Sequence, residues 1–181
     1  MTQAPITVAG IPLPSSSLLF LSVLACHVTA GLAAAGTGLV AMLTAKAPGR
    51  HPTAGIWYYR SLVAVFCTMA VLSALRWSQD YHLFILGGLA LAAAVVGRRA
   101  APSRPGARVR VHVTGMGLSY VFLLTAFYVD NGPNLPLWRL LPRAGFWLLP
   151  ILVGAPVIGR VLLTHPVVLG ARSREGKSGG A

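Results

Sequence analysis

The chain has 181 residues and a formal net charge of +12; 55% of its residues are hydrophobic and 10% are charged, and its mean hydropathy is +0.71. Soluble domains contain roughly 25% charged residues, so this composition excludes an ordinary water-soluble fold. The positive charge alone would suggest nucleic acid, but the basic residues fall between apolar segments and not along one soluble face, so we expect no nucleic-acid partner.

Five apolar segments, each near the length that crosses a bilayer, follow one another along the chain. A membrane helix needs about 20 predominantly apolar residues, and none of these segments contains Asp, Glu or Lys. The sequence predicts an all-α integral membrane protein with a five-helix transmembrane bundle at 17–169. An extracytoplasmic segment at 1–16 precedes it, and a disordered basic cytoplasmic tail at 170–181 follows. The predicted helices are 17–44, 55–75, 82–98, 111–129 and 146–165.

The Lys and Arg residues are distributed unequally between the two ends of these helices. Ten lie in loop 45–54, in loop 98–111 and in the tail, whereas the opposite connections hold three. Short connections rich in Lys and Arg remain in the cytoplasm, so we predict a multi-pass protein of the cell membrane with its N-terminus outside. Its basic connections should meet membrane lipid, in particular anionic head groups at the cytoplasmic face.

The first predicted helix carries an ionisable residue on the face that should contact another helix. His27 shares this face with Gly31, Ala34 and Gly38 at helical spacing, and small residues allow neighbouring membrane helices to approach closely. A histidine at this depth can be a ligand, a proton carrier or a core residue bonded to a neighbouring group. The sequence leaves these three roles open.

The fourth predicted helix carries a polar stripe. His112 and Asp130 lie about five turns apart on one face, with Ser119 between them and Tyr120 beside it. This stripe could line a functional path through the membrane. Alternatively, its two ends are interfacial and Ser119 bonds to a neighbouring helix or to its own backbone.

Two histidines begin different helices at the predicted cytoplasmic face. His51 begins the second helix beside Arg50 and ahead of Arg60, and His112 begins the fourth helix after Arg110. Two imidazoles on facing helices can ligate the iron of haem b, and arginines can neutralise its propionates. The leading hypothesis from the sequence is therefore a small redox protein with His51 and His112 as axial ligands.

Two other classes of protein remain open. One is a non-enzymatic transporter-like, lipid-binding or accessory protein with structural histidines, acting alone, as a homo-oligomer or with a membrane partner. The other is a membrane enzyme acting on a lipid or isoprenoid, with His27 and Asp130 as acid–base groups. Only three acidic residues are present to serve such chemistry, and the sequence contains no Walker lysine loop, GxSxG, HExxH or CxxC motif.

Several short sequence elements occur together in a known family. They are His27-x3-Gly31, Gly49-Arg50-His51-x3-Gly55, His112-x3-Met116-x2-Ser119-Tyr120, and Leu148-Leu149-Pro150 with Pro156. Through them the chain resembles, over roughly Leu19–Arg160, an uncharacterised bacterial family of multi-pass membrane proteins known as a domain of unknown function. The resemblance implies a membrane bundle and directs attention to the three histidines, but it supplies no reaction.

Overall fold

The computed structural model describes residues 7–8, 11–12, 17–45, 49–100, 105–136 and 138–169. These contain five helices long and apolar enough to cross a membrane, which confirms the predicted all-α membrane protein. A short antiparallel strand pair, Thr7–Val8 with Ile11–Pro12, precedes them. The predicted tail lies outside the described residues. The helices are α1 Leu18–Leu43, α2 Arg50–Leu75, α3 Trp77–Arg99, α4 Pro105–Asn131 and α5 Arg143–Thr164, with 3₁₀ turns at Gly132–Asn134 and Trp138–Leu140.

Three helices begin earlier than the apolar segments predict. α2 begins at Arg50 and not at position 55, α3 at Trp77 and not at 82, and α4 at Pro105 and not at 111. Hydropathy marks only the part of a helix in the hydrocarbon core, whereas the helix continues into the interface, where charged residues are solvated. Several basic residues that the sequence assigns to loops therefore stand on helical turns.

The chain divides into two compact units, and the first comprises Met1–Gly88 with Asp130–Leu140. Within it α1 and α2 form a hairpin of contacting antiparallel helices. Ala34 and Gly38 are buried on α1, and Tyr58 and Leu62 are buried on α2. Ala34 and Gly38 thus lie where a neighbouring helix approaches, as their spacing predicts, whereas a Cβ added to Gly31 would meet no atom within 4 Å.

The second unit comprises Leu89–Val129 with Leu141–Ala181 and contains two close helix contacts. Gly97 of α3 meets Gly115 of α4, where an added Cβ on Gly115 would lie 2.7 Å from the Gly97 Cα. α4 also contacts α5, where Gly117 lies beside Ile158 and Val121 lies beside Gly154. Glycine at these positions lets α4 contact both α3 and α5 closely.

Large apolar side chains remain exposed along α1 and α5. Leu18 is 80% exposed, Leu32 67% and Leu152 66%. A water-soluble protein rarely exposes so extensive an apolar surface, whereas lipid covers it and helices satisfy their own backbone groups there. These surfaces and the five apolar helices make the chain a multi-pass membrane protein.

Candidate functional site

His27 lies on the face of α1 that contacts α2. Its Nδ1 is 2.9 Å from the Thr68 hydroxyl, which also lies 2.8 Å from the Ala64 carbonyl oxygen and 3.0 Å from the Val65 carbonyl oxygen. The tautomer of the ring determines whether His27 or Thr68 donates the bond between them. The ring also interacts with the backbone of Val65. His27 therefore joins α1 to α2.

His51 lies in the first turn of α2 and bonds to the end of α1. Its Nδ1 is 2.8 Å from the carbonyl oxygen of Ala41. Because α1 ends at Leu43, this carbonyl is among the last four, which have no partner within the helix. A carbonyl can only accept, so Nδ1 carries the hydrogen. His51 thereby caps the C-terminus of α1.

His112 makes the corresponding bond in the second unit. Its Nδ1 is 3.0 Å from the carbonyl oxygen of Gly97, and α3 ends two residues later at Arg99. His51 and His112 thus have the same capping role in the α1–α2 and α3–α4 hairpins. The sequence marks both as candidate iron ligands and does not predict this role, because a backbone acceptor on the preceding helix has no sequence signature.

The polar stripe predicted on α4 is divided between the two units. Ser119 and Tyr120 belong to the second unit, where Ser119 is fully buried and Tyr120 is half-buried. Asp130, at the C-terminal end of α4, is exposed and belongs to the first unit. Thr125, which the sequence does not single out, is also buried and donates to the Val121 carbonyl at 2.8 Å. The middle of α4 is therefore a buried packing surface.

Asp130 lies among charged groups at the start of α3. Its electrostatic neighbours are Asp80, His82 and Arg76, and Arg76 forms an ion pair with Asp80 at 3.7 Å. His27, in contrast, has the hydroxyl and backbone groups of α2 as neighbours. The structure therefore places the two residues proposed for acid–base chemistry, His27 and Asp130, in different surroundings.

The three arginines predicted to neutralise haem propionates also differ from one another. Arg50 and Arg60 are exposed, and the Arg60 guanidinium lies 5.8 Å from the centre of the Trp57 ring, as a cation–π pair does. Arg110 is partly buried, and its Nε has no hydrogen-bond partner among the described residues. Of the three, Arg110 has the surroundings that an anionic ligand would complete.

Groups of three metal-ligating side chains are absent from the part of the chain that the structure describes. There, no three His, Cys, Asp or Glu side chains converge closely enough to hold a metal ion. Cys26 and Cys67 are free and exposed on α1 and α2. The candidate ligand-binding side chains are therefore the histidines and the arginines.

Comparison of the chain with protein-family models, with curated proteins and with solved structures gives no match. The resemblance to a bacterial family of multi-pass membrane proteins stays a prediction, and function is inferred from the side chains of this protein alone.

Proposed function

We propose that this chain is a non-enzymatic, lipid-binding membrane protein whose histidines are structural. The observation that supports this is that His27, His51 and His112 each form a hydrogen bond through Nδ1 to a group on the other helix of their own hairpin. Polar contacts of this kind hold membrane helices together. The basic residues at the helix ends would supply the lipid contact, because anionic head groups attract Lys and Arg.

We infer further that the protein lies in the cell membrane with its N-terminus outside and its C-terminus in the cytoplasm. The unequal distribution of Lys and Arg supports this orientation. Arg98 and Arg99 stand in the last turn of α3. The α3–α4 connection would therefore contact the anionic lipid of the cytoplasmic leaflet.

Thermal unfolding in detergent with added lipid tests this proposal. Phosphatidylglycerol should raise the melting temperature more than phosphatidylcholine at equal concentration, because a ligand that binds the folded state stabilises it. Added salt should reduce the difference, because it screens exposed charges. An equal effect of the two lipids would contradict lipid binding through charge, and a Soret band in the purified protein would contradict purely structural histidines.

The second candidate function is the haem b redox protein that the sequence predicts, with His51 and His112 as axial ligands. Both histidines bond a carbonyl through Nδ1, and metal-ligating histidines commonly make such a bond through the ring nitrogen that does not hold the metal. Arg50, Arg60 and Arg110 would supply positive charge for the propionates.

A visible spectrum of the purified protein, oxidised and reduced, decides between the two candidates. After haem-replete expression, the haem proposal requires a Soret band that both His51→Ala and His112→Ala abolish. A colourless wild-type protein would dismiss it and agree with structural histidines.

A further inference from the structure

Two buried polar atoms at one end of the second unit have no hydrogen-bond partner. Among the described residues these are Arg110 Nε on α4 and Nδ1 of His165, the residue directly after α5. Buried polar groups in proteins are nearly always hydrogen-bonded, and an orphaned one calls for an explanation such as a missing ligand. The need for a hydrogen-bond partner is greater for Arg110, because its guanidinium is always charged.

The register of α4 against α5 places these two residues opposite each other. Gly117 of α4 lies beside Ile158 of α5. Val121, one turn later on α4, lies beside Gly154, one turn earlier on α5. The two helices are therefore antiparallel. Arg110 lies about two turns before Gly117 on α4, and His165 lies about two turns after Ile158 on α5. The same register therefore places Arg110 and His165 at one level.

No carboxylate in the described part of the second unit can complete this pair. The chain has three acidic residues. Asp80 and Asp130 belong to the first unit, and Glu175 lies outside the described residues. The connection that leads into α4 is strongly basic. Arg110 therefore has no carboxylate partner in the described part of the second unit, and an anion from outside this set of side chains would complete the pair.

We propose that Arg110 and His165 bind the phosphate group of an anionic phospholipid. Arginine donates from Nε and from its terminal nitrogens to phosphate oxygens, and His165 Nδ1 donates when it carries the hydrogen. The pair lies at the ends of two membrane-spanning helices, which is the depth of lipid head groups. This inference rests on the proposed lipid-binding function and names the site that carries its specificity.

Binding of phosphatidylglycerol to the full chain in detergent, followed by native mass spectrometry, tests the site. Arg110→Gln and His165→Gln should each weaken the tightest lipid by about tenfold, the effect of losing a charge-assisted hydrogen bond. Arg108→Gln is the matched control, because it removes the same charge from the same helix at an exposed position. It should weaken binding much less. Arg110→Lys, which keeps the charge and removes Nε, should weaken binding less than Arg110→Gln, because an ammonium also binds phosphate.

The possible outcomes distinguish failure of the site formed by Arg110 and His165 from failure of the proposed lipid-binding function. A wild-type protein without preference for phosphatidylglycerol over phosphatidylcholine would overturn the lipid-binding function and this site with it. A preference that Arg110→Gln, His165→Gln and Arg108→Gln reduce equally would overturn the site alone. If Arg110→Gln does not fold, His165→Gln against Arg108→Gln decides in the same way. Competition by free glycerol phosphate at the concentration of the lipid would overturn a lipid ligand in favour of a soluble phosphate.

Discussion

Water does not compete for the hydrogen bond between His27 and Thr68, because both residues lie well within membrane-spanning helices. Interhelical polar contacts in membranes contribute about 0.6 kcal/mol on average and up to about 1.7 kcal/mol. We expect His27→Leu and Thr68→Val each to lower the free energy of unfolding. The double variant should lose less than their sum by about 0.6–1.7 kcal/mol. A double-mutant cycle on unfolding in detergent measures this coupling.

Thr29 provides the control for that cycle. Its hydroxyl donates to the Ala25 carbonyl of its own helix at 2.8 Å, and the residue is exposed. Thr29→Val should therefore combine with His27→Leu without coupling. If His27→Leu and Thr68→Val were also additive, the bond between α1 and α2 would not contribute to stability in the membrane.

His51 acts at the end of α1, where solvent and head groups can replace a lost donor. His51→Ala should lower the free energy of unfolding by about 0.5–1.5 kcal/mol, the net contribution of a typical hydrogen bond. His51→Asn should recover part of the loss, because an amide N–H can donate to the Ala41 carbonyl in place of Nδ1. Unfolding of both variants in detergent measures this. Equal stability of His51→Ala and the wild type would contradict the capping role.

The faces that these residues occupy follow from the sequence, but their partners do not. Helical spacing alone puts His27 on the small-residue face of α1. Its partner, Thr68, lies on another helix, and the acceptors of His51 and His112 are backbone carbonyls. Every residue has a backbone carbonyl, so the identity of the side chain at that position carries no information about the bond.

At the scale of the helices, α3 and α4 meet backbone to backbone. A Cβ on Gly115 would lie 2.7 Å from the Gly97 Cα and 2.8 Å from the Ala93 carbonyl oxygen, and backbone atoms cannot give way as a flexible side chain can. Gly115→Ala should therefore force the helices apart and lower the free energy of unfolding by about 1–3 kcal/mol. Thermal unfolding in detergent checks the result.

Gly31 is the matched glycine for that experiment, because an added Cβ there meets no atom within 4 Å. Gly31→Ala should leave stability unchanged or raise it, since alanine favours a helix over glycine. A similar loss in Gly31→Ala and Gly115→Ala would show that the loss does not come from the contact of α3 with α4.

Hydropathy predicts the number and order of the helices because crossing the hydrocarbon core requires an apolar segment. It does not predict their ends, since α4 begins at Pro105 and continues through charged residues outside that core. Nor does it predict the contact of Gly97 with Gly115. Glycine is common in membrane helices, so a single glycine on each helix does not reveal which pair will meet.

The whole chain contains 15 Lys and Arg residues but only three acidic residues. The ion pair of Arg76 with Asp80 uses one of the acids, so most of the basic side chains need counter-ions from outside the chain. Composition predicts this dependence on anionic lipid. It does not predict that Arg110 is partly buried while Arg108 is exposed, because that difference depends on which face of α4 contacts its neighbours.

The unequal distribution of Lys and Arg between the two ends of the helices predicts the orientation of the protein in the membrane. A protease-cleavable tag placed after Ala181 or within loop 98–111 should be protected in intact cells, whereas a tag before Met1 should be cleaved. The physical reason is that Lys and Arg in short connections are retained in the cytoplasm. Cleavage of the loop tag in intact cells would contradict the predicted orientation.

Two variants, each with several arginines replaced, test whether the charge of the connections causes this orientation. The loop arginines Arg98, Arg99, Arg104, Arg108 and Arg110 are half of the ten basic residues assigned to the cytoplasmic side. Replacing them with Gln should produce a mixture of orientations, visible as partial cleavage of both tags. Replacing Arg76, Arg139 and Arg143, assigned to the opposite side, should leave a single orientation, because it enlarges the existing difference. A uniform orientation in the first variant would mean that the five arginines of this loop are not needed to orient the chain.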